Sequence, residues 1–352
     1  MSRADFRLSL VVPVYNEEES IDAFISAIDT ELAPLKDQLE IVFVNDGSRD
    51  RTREVVEQAI ARDPRVTLVN LARNFGKEAA MTAGLHQAKG DAIVPMDVDL
   101  QDPPSLILEF VKLWQTGDYD TVYGIRVDRS ADTPMKRLTA GGFYRFFNAL
   151  STSTKLPENA GDFRLIDRKV VEAIKQLPER NRFMKGLFAW AGFRAVGVPY
   201  ERPARHAGET KFNYWKLWNF ALDGLMSFSS WPLRVWSYIG VGVSFIAFLY
   251  ILKIITQVLF FGIDVPGYAS LMSVMLFLGG IQLLSLGIIG EYIGRMFVEV
   301  KQRPVYLIEG VYGQYAKQDE EQKQEVPTTS KKSTGKKAAA KAADDQQEQA
   351  SQ

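Results

Sequence analysis

Two long apolar segments, at about 235–261 and 271–293, place the strongest constraint on how this 352-residue chain folds. Each is long enough to cross a hydrocarbon core about 30 Å thick as an α-helix. The connector GIDVPGYA has no Lys or Arg, whereas basic residues such as Arg234 and Arg295 flank the pair. By the positive-inside rule, both flanks and both termini are predicted to be cytoplasmic. The alternative, a pair of buried helices in a soluble core, is disfavoured by such a connector.

The N-terminal part alternates short apolar runs with amphipathic ones. The runs LSLVVPVYN, EIVFVND, VTLVNLA and AIVPMDVD are rich in Val and Ile and predict buried strands. Helical patterns fall between and after them, at about 18–32, 50–62, 76–89 and 104–116. This alternation predicts an α/β fold with a mostly parallel sheet covered on both faces. Ligands of such sheets bind at the carboxyl ends of the strands.

The remaining segments predict a different organisation. Residues 126–232 have little clean periodicity, and only FRAVGVPYE is predicted to be a strand. The run KFNYWKLWNFALDGLMSFSSWPL is typical of amphipathic helices at a headgroup interface. The polar end of the chain is predicted to be disordered. The predicted order is a cytoplasmic catalytic domain, juxtamembrane helices, two membrane helices, an extended cytoplasmic segment and a disordered tail, at 1–211, 212–232, 233–298, 299–315 and 316–352.

Composition excludes several kinds of chemistry. The chain has no cysteine and two histidines, His86 and His206, so thiolate nucleophiles and multi-histidine metal sites are excluded. Any metal must have oxygen ligands, which suits Mg²⁺ or Mn²⁺. A net charge of −1 gives no overall basic field for nucleic acid.

The stretch PMDVDLQDPP follows the fourth predicted strand and carries a cluster of carboxylates. If the chain stays extended there, Asp97, Asp99 and Gln101 point to one side of the strand end, as hard-cation ligands do. The alternative is that the acids are solvated loop residues. We assign Asp102 to the N-cap of the next helix, because DPPS is a good helix start.

The turn after the first strand argues against a dinucleotide-binding oxidoreductase, and the turn after the second carries a candidate nucleotide ligand. VYNEEES has glutamates where a glycine-rich G-x-G-x-x-G fingerprint would be expected. In VNDGSRD, Asp46 ends the second strand. Asp46 either accepts a hydrogen bond from a nucleotide base or is an ordinary residue of an Asp-Gly turn.

Several motifs in order, VVPVYNEEES, VNDGSRDRT, LARNFGKEAAMTAGL, MDVDLQDPP, AGDFRLIDR and RHAGETKF, precede the apolar pair. Over residues 8–310 the chain resembles the inverting family-2 glycosyltransferases that act on polyprenyl phosphates, including bactoprenol glucosyltransferases and the dolichol-phosphate mannose synthase group. The resemblance implies a GT-A-type nucleotide-sugar-binding domain, a membrane-bound homo-oligomer (a tetramer) and a lipid-phosphate monosaccharide product used to modify a glycan. UDP-glucose is the implied donor, with UDP-N-acetylglucosamine, a UDP-aminopentose and GDP-mannose left open.

The same resemblance implies roles for residues on the donor side. The residues implied to contact the nucleotide are Pro13, Tyr15, Glu17 and Asp46. Those implied to hold Mg²⁺ or Mn²⁺ are Asp99 and Gln101, with Asp97 beside the metal and the ribose.

On the acceptor side, Asp162 is implied to lie near the acceptor and the sugar, so Asp97 and Asp162 are the catalytic candidates. The residues implied to bind the lipid phosphate or the diphosphate are Arg126, Arg137, Arg202, Arg205 and Lys211.

Two rival functions follow from the same features. A processive polysaccharide synthase would carry Q-x-x-R-W, but the nearest stretch, LPERNRF, lacks both Gln and Trp. A non-catalytic membrane scaffold would not need the full set of acidic and basic residues.

Overall fold

The computed structural model describes Arg3 and residues 5–127, 160–180, 182–201, 231–261 and 267–313. The first elements are β1 (Leu8–Val14), α1 (Ile21–Glu31), a 3₁₀ helix (Ala33–Gln38), β2 (Leu39–Asn45), α2 (Thr52–Arg62), β3 (Val66–Leu71), α3 (Lys77–Gln87), β4 (Ala92–Pro95), α4 (Leu106–Gln115) and β5 (Thr121–Arg126). The later ones are β6 (Ala160–Asp167), α5 (Arg168–Lys175), α6 (Met184–Trp190), β7 (Ala195–Tyr200), α7 (Trp231–Phe261), α8 (Tyr268–Lys301) and β8 (Ile308–Gly313).

The strands form one sheet in the order β7-β5-β6-β4-β1-β2-β3-β8. Strands β1 to β4 pair in parallel, and β7 is parallel to β5. Strands β6 and β8 run antiparallel to their neighbours. The prediction of a mostly parallel sheet is confirmed, as are the four N-terminal strands and the strand FRAVGVPYE, which is β7. The expectation that residues 126–232 hold no other strand is wrong, because β6 lies in the middle of the sheet.

The reversed direction of β6 decides where its first residues lie. Ala92 of β4 pairs with Asp167, and Ile93 pairs with Ile166. This antiparallel direction places Asp162, which precedes the paired residues of β6, on the side of the sheet where β4 ends. The start of β6 therefore lies at the carboxyl edge of β4, and a residue distant in sequence joins the strand ends of the N-terminal half.

Helices cover both faces of the sheet. On one face, Phe24 of α1 and Phe110 of α4 are fully buried against the strands. On the other, Met81 of α3 and Met184 of α6 pack against the same sheet. Each buried large side chain contributes about 1.5–3 kcal/mol. Because both faces are covered, all seven residues of β2 are buried, which explains the apolar run IVFV at its centre.

The two apolar segments form the helices α7 and α8. The stretches Tyr238–Gln257 and Ser270–Lys301 are long and apolar enough to cross a membrane, judged by length and composition. Within each of these windows, 0% of the residues are buried inside the protein. The described residues therefore do not support the alternative of two helices buried in a soluble core.

After α8, the chain returns to the sheet. Glu299 near the end of α8 accepts hydrogen bonds from the backbone N–H of Arg180 at 2.9 and 3.0 Å. Strand β8 then pairs antiparallel with β3, and Asn70 donates to Glu309 Oε2 at 2.6 Å. The strand after the helical hairpin thus becomes the edge of the sheet.

Candidate functional site

Four of the predicted site residues lie around one small cavity at the carboxyl edge of the sheet. The cavity has a volume of about 20 Å³, and its lining includes Pro13, Asp97, Arg126 and Asp162. These residues come from β1, the end of β4, β5 and β6. A larger concavity of about 830 Å³ lies against α1 and α2. Its charged groups largely pair with one another, so we place the candidate site at the strand ends.

Lys77 joins the two predicted catalytic carboxylates. Its Nζ lies 2.6 Å from Asp97 Oδ1 and 2.9 Å from Asp97 Oδ2. The same Nζ is 3.8 Å from Asp162 Oδ2, and Lys185 Nζ is 3.9 Å from Asp162 Oδ1. Burial alone would raise the pKa of Asp162, but Lys185 and Lys77 lead the cations that lower it. Asp162 is therefore a carboxylate at neutral pH.

Asp46 fixes the backbone from which Lys77 projects. Its two carboxylate oxygens accept hydrogen bonds from the backbone N–H groups of Phe75 at 2.7 Å and Gly76 at 2.9 Å. Gly76 precedes α3 with φ of +98°, a conformation that glycine adopts readily. Burial raises the pKa of Asp46, and the two backbone hydrogen bonds oppose that rise. Asp46 is therefore more than a turn residue, and its role in base recognition stays a prediction.

Glu78, the next residue of α3, holds the helix that carries Lys185. Its Oε2 accepts a hydrogen bond from the backbone N–H of Met184, the first residue of α6, at 3.0 Å. Burial, followed by the nearby charge of Asp162, raises the pKa of Glu78 to about 7. Consecutive residues of α3 therefore position cations on both sides of Asp162.

Arg126 at the end of β5 is held by a buried phenol and a buried carboxylate. Its Nε donates to Tyr200 Oη at 3.2 Å, and its Nη2 lies 3.7 Å from Asp102 Oδ1. Tyr200 donates to the same Asp102 oxygen at 2.5 Å. The assignment of Asp102 as a helix N-cap is wrong, since α4 begins at Leu106 after Ser105. Asp102 is instead 5% exposed and anchors Arg126.

The acidic stretch after β4 turns rather than staying extended. Strand β4 ends at Pro95, and Leu100 has φ of +54°. This left-handed conformation is costly for a large side chain and often marks a functional site. Gln101 donates its backbone N–H to Asp99 Oδ1 at 3.2 Å. The sequence placed Asp97, Asp99 and Gln101 on one side of the strand end only if the chain stayed extended there, and it does not stay extended.

The donor set of this stretch fits Mg²⁺ or Mn²⁺ arriving with a phosphate ligand. Asp97, Asp99 and Gln101 offer hard oxygen atoms, and the Lys77 ammonium already occupies a cation position beside Asp97. In the described part of the chain, no three acidic or histidine side chains form a complete metal cluster. Mg²⁺ is often bound by one or two carboxylates, with water and substrate phosphates as its other ligands.

Two of the predicted nucleotide residues, Tyr15 and Glu17, lie on the loop after β1, which is hydrogen-bonded to residues that follow β2. After β1, Tyr15 is 37% exposed and Asn16 has φ of +54°. The backbone N–H of Asn16 donates to Ser48 Oγ at 3.0 Å, and that of Glu17 donates to Thr52 Oγ1 at 2.9 Å. These contacts fix the loops after β1 and β2 against each other.

Four predicted residues, Arg137, Arg202, Arg205 and Lys211, lie outside the described residues. So do His206, residues 212–230 of the predicted juxtamembrane stretch and the C-terminal tail. Sequence reasoning assigned no role to Lys77, Glu78 or Lys185. The signal available for Lys77 was its place in the motif NFGKEAA, directly before a predicted helix.

Comparison with known proteins identifies both parts of the chain. Residues 9–175 match the model of glycosyl transferase family 2, and residues 231–296 match the GtrB C-terminal hairpin. The SfII prophage-derived bactoprenol glucosyl transferase of Shigella flexneri is 52% identical over 305 residues, which are 86% of this chain and 97% of that protein. A prophage bactoprenol glucosyl transferase homolog of Escherichia coli is 51% identical over 306 residues, 87% of this chain and 99% of that protein.

A solved mannosyltransferase of Pyrobaculum calidifontis, in complex with GDP-Man and Mn²⁺, is 23% identical with a TM-score of 0.40 and covers 56% of each chain. The family match and the described sheet define a transferase with a GT-A-type catalytic domain. The chain belongs to glycosyl transferase family 2 and carries the GtrB-type C-terminal hairpin.

Proposed function

We propose that the protein transfers one sugar from a nucleotide sugar to a polyprenyl phosphate at the cytoplasmic face of a membrane. The names of relatives that are 51–52% identical over most of the chain, bactoprenol glucosyl transferases, support the acceptor class and glucose as the transferred sugar. UDP-glucose is the donor that we propose. The observation that carries the proposal is the cavity that brings Asp97, Asp162 and Arg126 together. Acidic and basic groups side by side suit a reaction in which a lipid phosphate attacks a sugar whose leaving group is a metal-bound diphosphate.

On the donor side, Asp97, Asp99 and Gln101 hold Mg²⁺ or Mn²⁺ in this proposal. The chemistry supplied by the bound cation is neutralisation of the negative charge that develops on the departing nucleoside diphosphate. The nucleotide itself is bound by the loops after β1 and β2, through Pro13, Tyr15, Glu17 and Asp46.

On the acceptor side, Arg126 binds the lipid phosphate, and Arg137, Arg202, Arg205 and Lys211 complete the anion-binding surface. A phosphate monoester has its second pKa at about 6, so its oxygen is already largely anionic at neutral pH. This oxygen attacks the anomeric carbon opposite the leaving diphosphate, and one displacement inverts the configuration. Asp162, held as a carboxylate by Lys77 and Lys185, orients the reacting groups and need not remove a proton.

In this proposal, helices α7 and α8 form the membrane hairpin, with both termini and the catalytic domain in the cytoplasm. The hairpin keeps the site beside the headgroup of its lipid substrate. Small residues in GVGVSF and LGGIQLLSLGIIG permit close helix packing in a homo-oligomer, a tetramer by resemblance.

The test uses the full-length protein in detergent with undecaprenyl phosphate and either Mg²⁺ or Mn²⁺. A panel of UDP- and GDP-sugars is presented, and nucleoside diphosphate release is recorded together with the mass of the lipid product. Release that needs both lipid and metal, with one hexose gained, is the expected result. A protein that binds no nucleotide sugar would contradict the proposed function.

Two substitutions separate the metal site from Asp162. Because the acceptor is already anionic, Asp162→Asn is expected to lose less turnover than Asp99→Ala at saturating acceptor. Equal losses would show that Asp162 does more than orient the reacting groups.

A further inference from the structure

Lys77 occupies a position for which the proposed metal must compete. Its Nζ lies within hydrogen-bond distance of both carboxylate oxygens of Asp97, at 2.6 and 2.9 Å. A carboxylate that binds a divalent cation offers at least one of these oxygens to the metal. Because the ammonium contacts both oxygens, a metal on either oxygen would lie beside it, and repulsion between the two positive charges would weaken the contact of Lys77 with Asp97.

We propose that Lys77 is a built-in counter-ion of the acidic site, which neutralises Asp97 and Asp162 before the donor binds and moves onto the donor diphosphate when metal and nucleotide enter together. This inference rests on the proposed function, since it assumes that the site receives a metal-bound diphosphate. It assigns to Lys77 a role that links metal binding to nucleotide binding.

The geometry of Lys77 suits an exchange of partners. Its backbone is fixed because Gly76 is held by Asp46, and Lys77 is the first residue of α3. Its side chain is 46% exposed and carries the ammonium on a flexible four-carbon stem, so the ammonium has freedom to move. Asp162, 3.8 Å away, draws the ammonium toward the centre of the cavity. A small rotation of the stem exchanges a carboxylate partner for a phosphate partner.

The charges give this exchange a direction. Without a cation, Asp97 and Asp162 would repel each other across the cavity, and Lys77 removes that repulsion. A divalent cation arriving alone must displace an ammonium that has no new anionic partner. A cation that arrives with a diphosphate supplies such a partner. Metal and nucleotide should therefore each bind more tightly in the presence of the other, as linkage requires.

The test is an Mn²⁺ titration of the full-length protein in detergent, followed by electron paramagnetic resonance, with and without UDP. Lys77→Met is expected to bind Mn²⁺ alone about tenfold more tightly than the wild type, because an ion pair of about 1.4 kcal/mol no longer competes. UDP binding in the presence of Mn²⁺ is expected to weaken about tenfold, because the phosphate loses a charged partner. A generally damaged site would weaken both.

The matched control is Lys169→Met. Lys169 Nζ lies 2.6 Å from Asp120 Oδ1, so it forms an ion pair of the same length as that of Lys77. Asp120 directly precedes β5, so this pair lies at the end of the strand opposite to the candidate site. This variant is expected to bind Mn²⁺ and UDP as the wild type does. Lys77→Arg keeps the positive charge and is expected to keep the weak binding of Mn²⁺ alone, which provides a second comparison if Lys77→Met folds poorly.

Two outcomes distinguish this inference from the proposed function. If wild-type protein shows mutual enhancement of Mn²⁺ and UDP binding, but Lys77→Met behaves like Lys169→Met, the role of Lys77 is wrong and the proposed function stands. If the wild type binds neither UDP nor Mn²⁺, the proposed function itself is contradicted.

Discussion

Removing the hydroxyl of Tyr200 tests how the protein holds Arg126. Tyr200→Phe deletes the 2.5 Å hydrogen bond to Asp102, a carboxylate that is 5% exposed. Burial raises the pKa of Tyr200 to about 12, so the phenol remains a donor throughout the working pH range. A hydrogen bond to a charged group contributes about 1.5–3 kcal/mol, and we expect a loss of about 2 kcal/mol in the free energy of unfolding. For a domain of this size, that corresponds to about 4–8 °C in melting temperature.

The assay is thermal unfolding of the full-length protein in detergent, followed by tryptophan fluorescence. Tyr312→Phe is the matched control, because Tyr312 Oη accepts a 2.8 Å hydrogen bond from the partly exposed Arg53. We expect this control to shift the melting temperature by less than about 2 °C. Arg126 also loses its 3.2 Å contact in Tyr200→Phe, so KM for the lipid phosphate should rise while nucleotide affinity stays constant. Equal melting temperatures for the two variants would refute the argument that Asp102 depends on Tyr200.

Four other substitutions test the fold. Gly117→Ala, at φ of +84° in open space, should lower the free energy of unfolding by about 1 kcal/mol. Gly47→Ala, at φ of +65°, should lower it by about 1–3 kcal/mol more, because its Cβ would lie 2.5 Å from the backbone of Arg73. Chemical denaturation of both variants measures the difference. Burial lowers the pKa of His86 to about 4, so stability should fall as pH drops from about 6.5 to about 4, since unfolded chains gain a proton there and folded ones do not. His86→Gln should flatten this slope in melting curves, and an unchanged slope would contradict the assignment. Phe24→Ala should cost about 3–5 kcal/mol of unfolding free energy, because Phe24 is 0% exposed, and a loss below about 1 kcal/mol would contradict its place in the core.

The sequence predicted the N-terminal half of the sheet because those strands are buried on both faces. Strand β6 escaped prediction because its eight residues, AGDFRLID, include three charged side chains. In the structure, Arg164 of this strand is 6% exposed, donates to Gly161 O at 2.8 Å and lies over the ring of Phe188 at 4.4 Å. These partners make a charged residue compatible with a central strand, and local sequence gives no sign of them.

The candidate site was predictable in part for the same reason. Asp46 and Asp97 follow the ends of parallel strands within two residues, so their position at one edge follows from a parallel sheet. The place of Asp162 beside Asp97 depends on the reversed direction of β6, and only the resemblance to a known family indicated it. The positions of Lys77 and Lys185, the cations beside Asp162, depend on where α3 and α6 begin. Asp46 and Glu78 fix these two helix starts through hydrogen bonds to the backbone. The assignment of Asp102 failed because its partner, Tyr200, lies 98 positions along the chain.

The pairing of β8 with β3 has a consequence for biosynthesis. Asn70 on β3 and Glu309 on β8 are separated by 239 positions. At translation rates of about 5–20 residues per second, β8 is synthesised roughly 10–50 s after β3, and the outer edge of β3 has no partner strand until then. During that interval the ribosome also synthesises both apolar helices. The nascent sheet then has an unpaired edge strand, with which other chains can pair. Completion of the catalytic sheet therefore follows the synthesis of both apolar helices, because β8 comes after them in the chain.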